Sequence, residues 1–514
     1  MTSEAQRSGL PRAAGAALWT MRLDRASPLP LSRQLAAALR GAIAEDSLGV
    51  SARLPSTRNL AAELGIARST VVGVFEQLTA EGYIAAKQGS GYFVPARLAE
   101  AKDVTASRAP AGAPRALSRQ AELLRGLELR PPRQPRPFEL GHADIDSRLM
   151  ATWKRLASRA LSGRSRLEWS YGDPQGEPVL RAAIAEYLAA ARGVRCRPDQ
   201  IVVTSGTQQG LSLAARVLID PGATAMVEDP CYRSAFDILR AVEARVVPVA
   251  VDEQGVDIEA APQLQSPPRL LYTTPSRQYP LGMAMPLARR LALLAWAARE
   301  GVWIIEDDYE SEFQQPGHML PSLQGLDRAG RVVYLGTFSK LLFPSLRLGY
   351  AVLPEDLVAP FAAARQVSDR QSSGLIQAIM TEFMLEGHFA RHLKRMRTVY
   401  AERQACLSDL LTRRLGGLVE AAPNESGMYL VAWLPPGWDD GAVARRLATA
   451  GVTAVPLSVL TLARKRRPAL VLGYSGHGEA AMARAVEIMA GALTERTGLT
   501  DTIKADLLSD QLAR

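Results

Sequence analysis

Cysteine is scarce in this chain: Cys196, Cys231 and Cys406 are the only three in 514 residues. An odd number of widely spaced cysteines gives no disulfide framework and no zinc pattern, and it fits a reducing compartment. No metal site is expected. Long apolar runs are missing too. None approaches the ~20 residues that span a bilayer, and the opening MTSEAQRSGLPRAAG has no apolar core of a secretory leader. A cytoplasmic protein without a membrane partner is the expectation. Acidic charge is short in one region only. Residues 1–136 hold 19 Lys and Arg against 11 Asp and Glu, whereas the remainder holds 42 against 41. Nearly all of the net +9 therefore sits in the front quarter. A basic module on a near-neutral body points to a polyanionic partner for the module.

The composition, 47% hydrophobic and 22% charged, is that of a globular protein, and the length suggests two to four domains at roughly 100–200 residues each. In the front module, PLPLSRQLAAALRGAIAEDSL places Leu31, Leu35, Leu39 and Ile43 on one face of an amphipathic helix. LPSTRNLAAELGIARSTVVGVFEQLTAEGYI then predicts two helices across a tight turn. Ser56 or Thr57 caps the first, Arg58 to Leu64, and Gly65 ends it. Ser69 is expected to cap the second, which runs to about Glu81 with Val71, Phe75 and Leu78 on one face. This is a helix-turn-helix, whose second helix can enter the major groove. GYIAAKQGSGYFV follows as a small hairpin, with Lys87 and Gln88 at its tip and Gly89 and Gly91 supplying the turn. Arg68, Ser69 and Thr70 start the recognition helix, where side chains and backbone donors meet phosphates or base edges. Arg58 is placed for phosphate contact. The module spans residues 18–95. From 96 to 137 the chain is rich in Ala, Arg and Pro, apart from QAELLRGLEL, and reads as a flexible linker with a reach on the order of 35 Å.

Residues 138–500 alternate short β-branched runs with amphipathic helices. QIVVTSG, ATAMVEDP, ARVVPVAVD, PRLLYTTP, GVWIIEDDY, RVVYLGTFS and RLGYAVL are the expected strands of an α/β domain with a largely parallel sheet. Ligands bind at the carboxyl ends of such strands. Three segments fall there. SGTQQG, Ser205 to Gly210, begins a helix and can cradle a phosphate. In EDDYESEF, Asp307 and Tyr309 share one face of a strand and Glu306 and Asp308 the other; taken alone, this also reads as a solvated strand end. Lys340 follows the next strand, with Thr337, Ser339 and Arg347 suited to a phosphate dianion. A partly buried lysine has a depressed pKa and can form a Schiff base. Together the segments supply what pyridoxal phosphate needs: an aldehyde anchor, partners for the ring nitrogen and ring hydroxyl, and a phosphate clamp.

Two family resemblances follow from these motifs. LPSTRNLAAELGIARSTVVGVFEQLTAEGYIAAKQGSGYFV resembles the winged helix of the GntR family of bacterial regulators. That resemblance implies DNA contacts by Arg58, Arg68, Ser69, Thr70 and Gly89. Val72 stands where some members carry a base-reading arginine. The order YGDPQG, SGTQQ, EDPCY, SRQYPLG, EDDY, SKLLFPSLRLG resembles the fold-type I aminotransferases, which implies a large mainly parallel sheet and a smaller C-terminal α+β subdomain. By the same resemblance Lys340 is the Schiff-base lysine, Asp307 partners the pyridinium nitrogen, Tyr309 bonds the ring hydroxyl and Tyr232 stacks on the ring. Ser205, Gly206, Thr207, Thr337, Ser339 and Arg347 surround the phosphate. Tyr171 reaches the phosphate of the neighbouring subunit, implying a head-to-tail dimer with composite sites.

There are two departures. Tyr279 stands in YPLG where the enzymes carry an asparagine. Val471, in ALVLGYSG, stands where they carry the arginine that clamps a substrate carboxylate, and only Arg464, Arg466 and Arg467 lie near it in sequence. The loss of a bidentate clamp argues against ordinary amino-acid transamination. A winged helix, a linker and an aminotransferase-like body together resemble the MocR subfamily of GntR-type regulators. The implied function is a transcriptional regulator that binds an operator in double-stranded DNA and senses pyridoxal phosphate, an amine or an amino acid. The alternative is an active aminotransferase with an accessory DNA-binding module.

Overall fold

The computed structural model describes residues 22–494 apart from 46–47, 49–51, 88, 96–115, 126, 128–134, 164–168, 315–319 and 422–426. The chain divides into two units, Met1–Ala116 and Leu117–Arg514.

In the first unit, the helix Leu31–Ala44 buries Leu35, Ala36, Leu39 and Ile43, the face its four-residue spacing predicts. The helix Thr57–Leu64 is capped by Ser56, whose hydroxyl accepts from the Asn59 N–H at 3.2 Å. Gly65 ends it at φ 62°, a left-handed conformation that favours glycine. The second helix of the motif is Arg68–Ala80. Its cap is Ala67, not Ser69: the Thr70 N–H already bonds the Ala67 carbonyl at 3.0 Å, so the helix starts earlier and Ser69 lies in its first turn. Val71, Val74, Phe75 and Leu78 face inward, and Phe75 meets Tyr92 edge-on at 4.9 Å. Burying one such phenylalanine contributes about 2–3 kcal/mol. Strands β1 (Ala85–Lys87) and β2 (Gly91–Phe93) form the wing, with Lys87 paired to Gly91. Gly89 turns at φ 74°. Gln88, expected at the tip, lies outside the described residues.

The second unit begins inside the segment expected as linker. The helix Arg119–Arg125 lies beside the helix Arg233–Ala241. None of its side chains is buried; Gln120 donates to the Ala241 carbonyl at 2.8 Å and Arg119 pairs with Glu243 at 3.3 Å. The remainder of the 96–137 span lies largely outside the described residues.

All seven expected strands of the large sheet are present: β3 (Ile201–Thr204), β4 (Thr224–Asp229), β5 (Arg245–Asp252), β7 (Leu270–Thr273), β8 (Trp303–Asp308), β9 (Val332–Thr337) and β10 (Gly349–Val352). A short β6 (Gly255–Val256) adds an edge that the sequence pattern does not reveal. The order is β3-β10-β9-β8-β7-β4-β5-β6. Pairings from β9 through β5 are parallel, β10 runs antiparallel to both its neighbours, and β6 runs antiparallel to β5. Both faces are covered. Ile201 and Val203 enter one apolar core while Val202 enters another, which explains why the strands read as unbroken apolar runs. A second sheet, β11 (Glu420–Ala421), β12 (Tyr429–Trp433), β13 (Val455–Pro456) and β14 (Ala469–Gly473), is antiparallel in the order β11-β12-β14-β13. With the helices Asp440–Thr449 and Glu479–Thr494 it makes the smaller α+β subdomain. The expected α/β class and its subdomain are thus observed.

Candidate functional site

Residues at or just after the carboxyl ends of β3, β4, β7, β8 and β9 converge at one end of the large sheet. They line a cavity of about 210 Å³ that holds Gly206, Thr207, Tyr232, Asp307, Tyr309, Thr337, Ser339, Lys340 and Arg347 together. Nine of the eleven residues expected at a cofactor site therefore meet in one place. Ser205 does not line the cavity; its N–H instead donates to Gln209 Oε1 at 2.8 Å. Tyr171 is 75% exposed on the surface, under the Arg370 guanidinium at 4.2 Å from its ring.

Lys340 is held in place by its surroundings. Gly141, at φ 83°, passes so close that a Cβ there would collide with Nζ. Burial pushes the Lys340 amine below the usual lysine range; Glu310 and Asp307 oppose that shift, and Arg347 adds to it. A lowered pKa raises the share of free amine, the form that attacks an aldehyde.

At the acidic end, the alternation along β8 holds. Glu306 turns away and accepts from the Leu323 and Gln324 N–H groups, both at 2.9 Å. Asp308 also turns away, to accept from Arg192 and Tyr334, both at 2.8 Å. Asp307 faces the cavity. Its Oδ2 accepts from the Tyr272 hydroxyl at 2.7 Å, while Oδ1 is buried without a hydrogen-bond partner among the described residues. Burial pushes its carboxyl up to about 7, against the lowering pull of the Tyr272 bond. These acidic side chains are buried, with Glu306 at 0% and Asp307 at 5% exposure, so the solvated reading of EDDY is excluded.

The opposite end is an anion cradle. Gly206 sits at φ 115° as the cap of the helix Thr207–Leu218, whose first N–H groups have no partner within their own helix. Gly349 packs so closely that a Cβ on it would stand 2.7 Å from Gly206 Cα. Thr337 Oγ1 accepts from the Ser339 N–H at 3.1 Å, and Ser339 Oγ from the Leu348 N–H at 3.3 Å, which ties the Lys340 loop to the segment carrying Arg347. Arg347 holds φ 48° and ψ 51°, a left-handed conformation rarely kept by a non-glycine residue. The residues present fit pyridoxal phosphate on two observations. Asp307 lines the cavity and keeps one buried carboxyl oxygen without a partner among the described residues. At Gly206 the space a Cβ would take opens toward Arg347 Nη1 at 3.8 Å and Thr337 Oγ1 at 3.9 Å.

The third wall is aromatic. Tyr279 meets the rings of Tyr232, Tyr309 and Tyr429 edge-on at 5.8, 6.0 and 5.7 Å. The Tyr309 and Tyr429 hydroxyls are 2.8 Å apart. Val471, fully buried on β14, packs with Tyr429 and Leu460, and with Leu140, Tyr279 and Tyr309 around them. The arginines next to it in sequence are used elsewhere. Arg466 donates to the Asp229 and Val251 carbonyls at 3.0 and 2.6 Å, and Arg467 pairs with Glu420 at 2.6 Å. Arg464 is not among the cavity-lining residues.

Several residues here escape sequence reasoning. Tyr272 partners Asp307 only because β7 lies beside β8, and strand order is not written in a single strand; the one signal is a tyrosine inside an otherwise apolar run. Glu228 accepts from Thr273 Oγ1 at 2.5 Å, Thr274 Oγ1 at 2.8 Å and Gln278 at 3.2 Å, fixing the loop that carries Tyr279. Glu310 lines the cavity and pairs with buried Arg277 at 2.5 Å. In the first unit, Arg58, Arg68, Ser69 and Gly89 are exposed and Thr70 is half-buried. Arg68 and Ser69 open the second helix, as a groove-reading helix requires.

These two units define a class of protein: a DNA-binding head of the helix-turn-helix kind joined to a pyridoxal-phosphate-dependent aminotransferase fold. Residues 31–94 match the family of bacterial regulatory proteins, gntR family, and residues 138–488 match aminotransferase class I and II. The chain belongs to the MocR-type regulators of the GntR family. It is 38% identical over 454 residues to the probable rhizopine catabolism regulatory protein MocR of Rhizobium meliloti, covering 88% of this chain and 92% of the relative. It is 30% identical over 460 residues to the pyridoxine biosynthesis transcriptional regulator PdxR of Corynebacterium glutamicum, covering 89% and 94%. Among solved structures it resembles the alpha-aminoadipate aminotransferase LysN of Thermus thermophilus, complexed with N-(5'-phosphopyridoxyl)-L-leucine. The TM-score is 0.65 at 29% identity, over 75% of this chain and 96% of that one. The protein is a DNA-binding transcriptional regulator.

Proposed function

We propose that the cavity around Lys340 is the sensing site of this regulator, and that its occupancy by pyridoxal phosphate, or by an amine entering beside it, sets how the heads engage an operator. The observation that carries this reading is the meeting of Lys340, Asp307, Tyr232 and Arg347 in one cavity. Lys340 would anchor the cofactor aldehyde, and Asp307 would partner the ring nitrogen. Tyr232 would stack on the ring, and Tyr309 would address the ring hydroxyl. Gly206, Thr207, Thr337, Ser339 and Arg347 would hold the phosphate, with Ser205 behind them. When bound, pyridoxal phosphate supplies an electrophilic carbon that a primary amine can address.

The chain's own residues do the rest. Lys340, lowered in pKa, exchanges a proton at Nζ without leaving the cavity, and the tyrosine wall keeps water from that end. Signalling requires that the ligand bind one arrangement of the assembly better than another. The assembly is a head-to-tail homodimer in the cytoplasm. The exposed ring of Tyr171 reaches the neighbouring phosphate site in it. Arg58, Arg68, Ser69, Thr70 and the wing at Gly89 contact DNA, with residues 18–95 as the head, 96–137 as the connector and 138–500 as the sensor. Two heads suit repeated half-sites.

Selection of genomic DNA fragments by the full-length protein, with and without pyridoxal phosphate, tests this. A discrete operator with two repeated half-sites, retained differently in the two conditions, is expected. Enrichment of one operator to the same degree in both conditions contradicts the sensing role.

A further inference from the structure

The wall of the cavity away from Arg347 is chemically one-sided. Among the described residues of this chain that line the cavity, the only cations are Lys340 and Arg347, and the proposed cofactor site uses both, one for the aldehyde and one for the phosphate. The described residues of the far wall are apolar or aromatic. Leu140, Met428, Tyr279, Tyr309 and Tyr429 line it, and Val471 backs it from β14. Arg277, whose guanidinium packs over the Tyr429 ring, is not a lining residue. It is 3% exposed, pairs with Glu310 at 2.5 Å, donates to the Tyr429 carbonyl at 3.0 Å and lies 4.7 Å from the Tyr429 ring centroid. Gly427 closes its other side, where a Cβ would collide with the guanidinium at 2.5 Å. Its charge is matched and its position fixed.

A carboxylate brought to this wall would lose its water and find no cation to replace it among the described lining residues. Burying an unpaired carboxylate is strongly unfavourable. An ammonium meets the opposite conditions. Tyrosine rings present negative faces to a cation, and three of them line this wall. Tyr279 occupies the centre of the wall, with three tyrosines edge-on around it.

We infer that the effector of this regulator is a primary amine that carries no carboxylate, selected by the Tyr279–Tyr309–Tyr429 wall and by Val471 at the position of the missing clamp. The inference rests on the cofactor-site reading, and it narrows the ligand class from amines and amino acids to amines alone. Val471 is a specificity-determining residue here because its side chain closes, with apolar surface, the place a guanidinium would fill.

A matched pair of ligands tests it: phenethylamine and L-phenylalanine, which differ only by the carboxylate. Full-length, cofactor-loaded protein is titrated with each by calorimetry, and the visible band of the bound cofactor is followed in parallel. The amine is expected to bind at least roughly tenfold more tightly, the loss that an unpaired buried charge imposes on the acid. Equal or tighter binding of L-phenylalanine overturns the inference. So does binding of neither ligand while the band remains, although the cofactor-sensing reading then still stands. Loss of the band in the parent protein would instead strike at that reading. Val471→Arg, accepted as folded only if it retains the band, is expected to reduce the preference for the amine by roughly tenfold or more. An unchanged preference in a folded Val471→Arg protein also overturns the role of this position.

Discussion

Tyr272 donates its hydroxyl to Asp307 at 2.7 Å, and the other oxygen of that carboxylate is buried without a partner among the described residues. One bond therefore orients the acid and leaves one acceptor for a ligand. The partner is a phenol on β7, one strand away in the sheet. Tyr272→Phe removes that orienting bond without changing the ring. It is expected to weaken retention of pyridoxal phosphate by roughly tenfold, the worth of one hydrogen bond to a charged group. Fluorescence titration of apo protein measures it; affinity unchanged within error would show that Tyr272 does not position Asp307.

Asp307 also predicts a pH dependence. Its carboxyl titrates at about 7 in the folded chain, raised chiefly by burial, against an ordinary value of ~3.9. A raised folded pKa stabilises fully below the unfolded value, and that contribution is lost as pH rises through about 7. Glu306 and Glu312 are pushed to about 7 as well, so the parent slope has several sources. The comparison with Asp307→Asn isolates one of them. Apo Asp307→Asn is expected to gain thermal stability relative to apo parent by a few degrees between about pH 5 and about pH 8. Parallel melting curves across that range would contradict the assignment.

Gly349→Ala tests the close approach that builds the anion cradle. The added Cβ would meet Gly206 Cα at 2.7 Å, a backbone contact that cannot swing aside. A loss of about 1–3 kcal/mol of stability is expected, with cofactor affinity falling further because Gly206 caps the cradle helix. Chemical denaturation of the apo protein and cofactor titration read the two effects separately.

Much of this was legible in the sequence. The seven principal strands were, because each is a short β-branched run buried on both faces, and so was the helix-turn-helix, because its leucine and valine spacing is regular. Nine cavity residues were legible because they lie at or after strand ends in recognisable motifs. What escaped depends on tertiary neighbours. Tyr272 and Glu228 act across strands. The cap at Ala67 offers no side-chain signal, so Ser69 drew attention instead. The helix Arg119–Arg125 sits in a composition that reads as linker and is located by Gln120 and Arg119 contacts to the helix Arg233–Ala241 and the turn that follows it.

In the head, Arg68→Ala is expected to weaken specific operator binding by about 1–3 kcal/mol, and Arg58→Ala to reduce the salt dependence of binding by about one charge. Fluorescence anisotropy at several salt concentrations distinguishes them. A mutant that loses affinity equally for operator and random DNA would move Arg68 from base reading to phosphate contact.

The central claim joins the cavity to the DNA, and one measurement addresses it directly: operator affinity of parent and Lys340→Ala proteins, each with and without saturating pyridoxal phosphate, at fixed salt. The parent is expected to change its affinity by about fivefold or more on adding the cofactor, the scale of a typical coupling free energy, while Lys340→Ala binds the operator with one affinity in both conditions. A parent whose operator affinity ignores the cofactor, or a Lys340→Ala protein that responds as fully as the parent, would contradict the account.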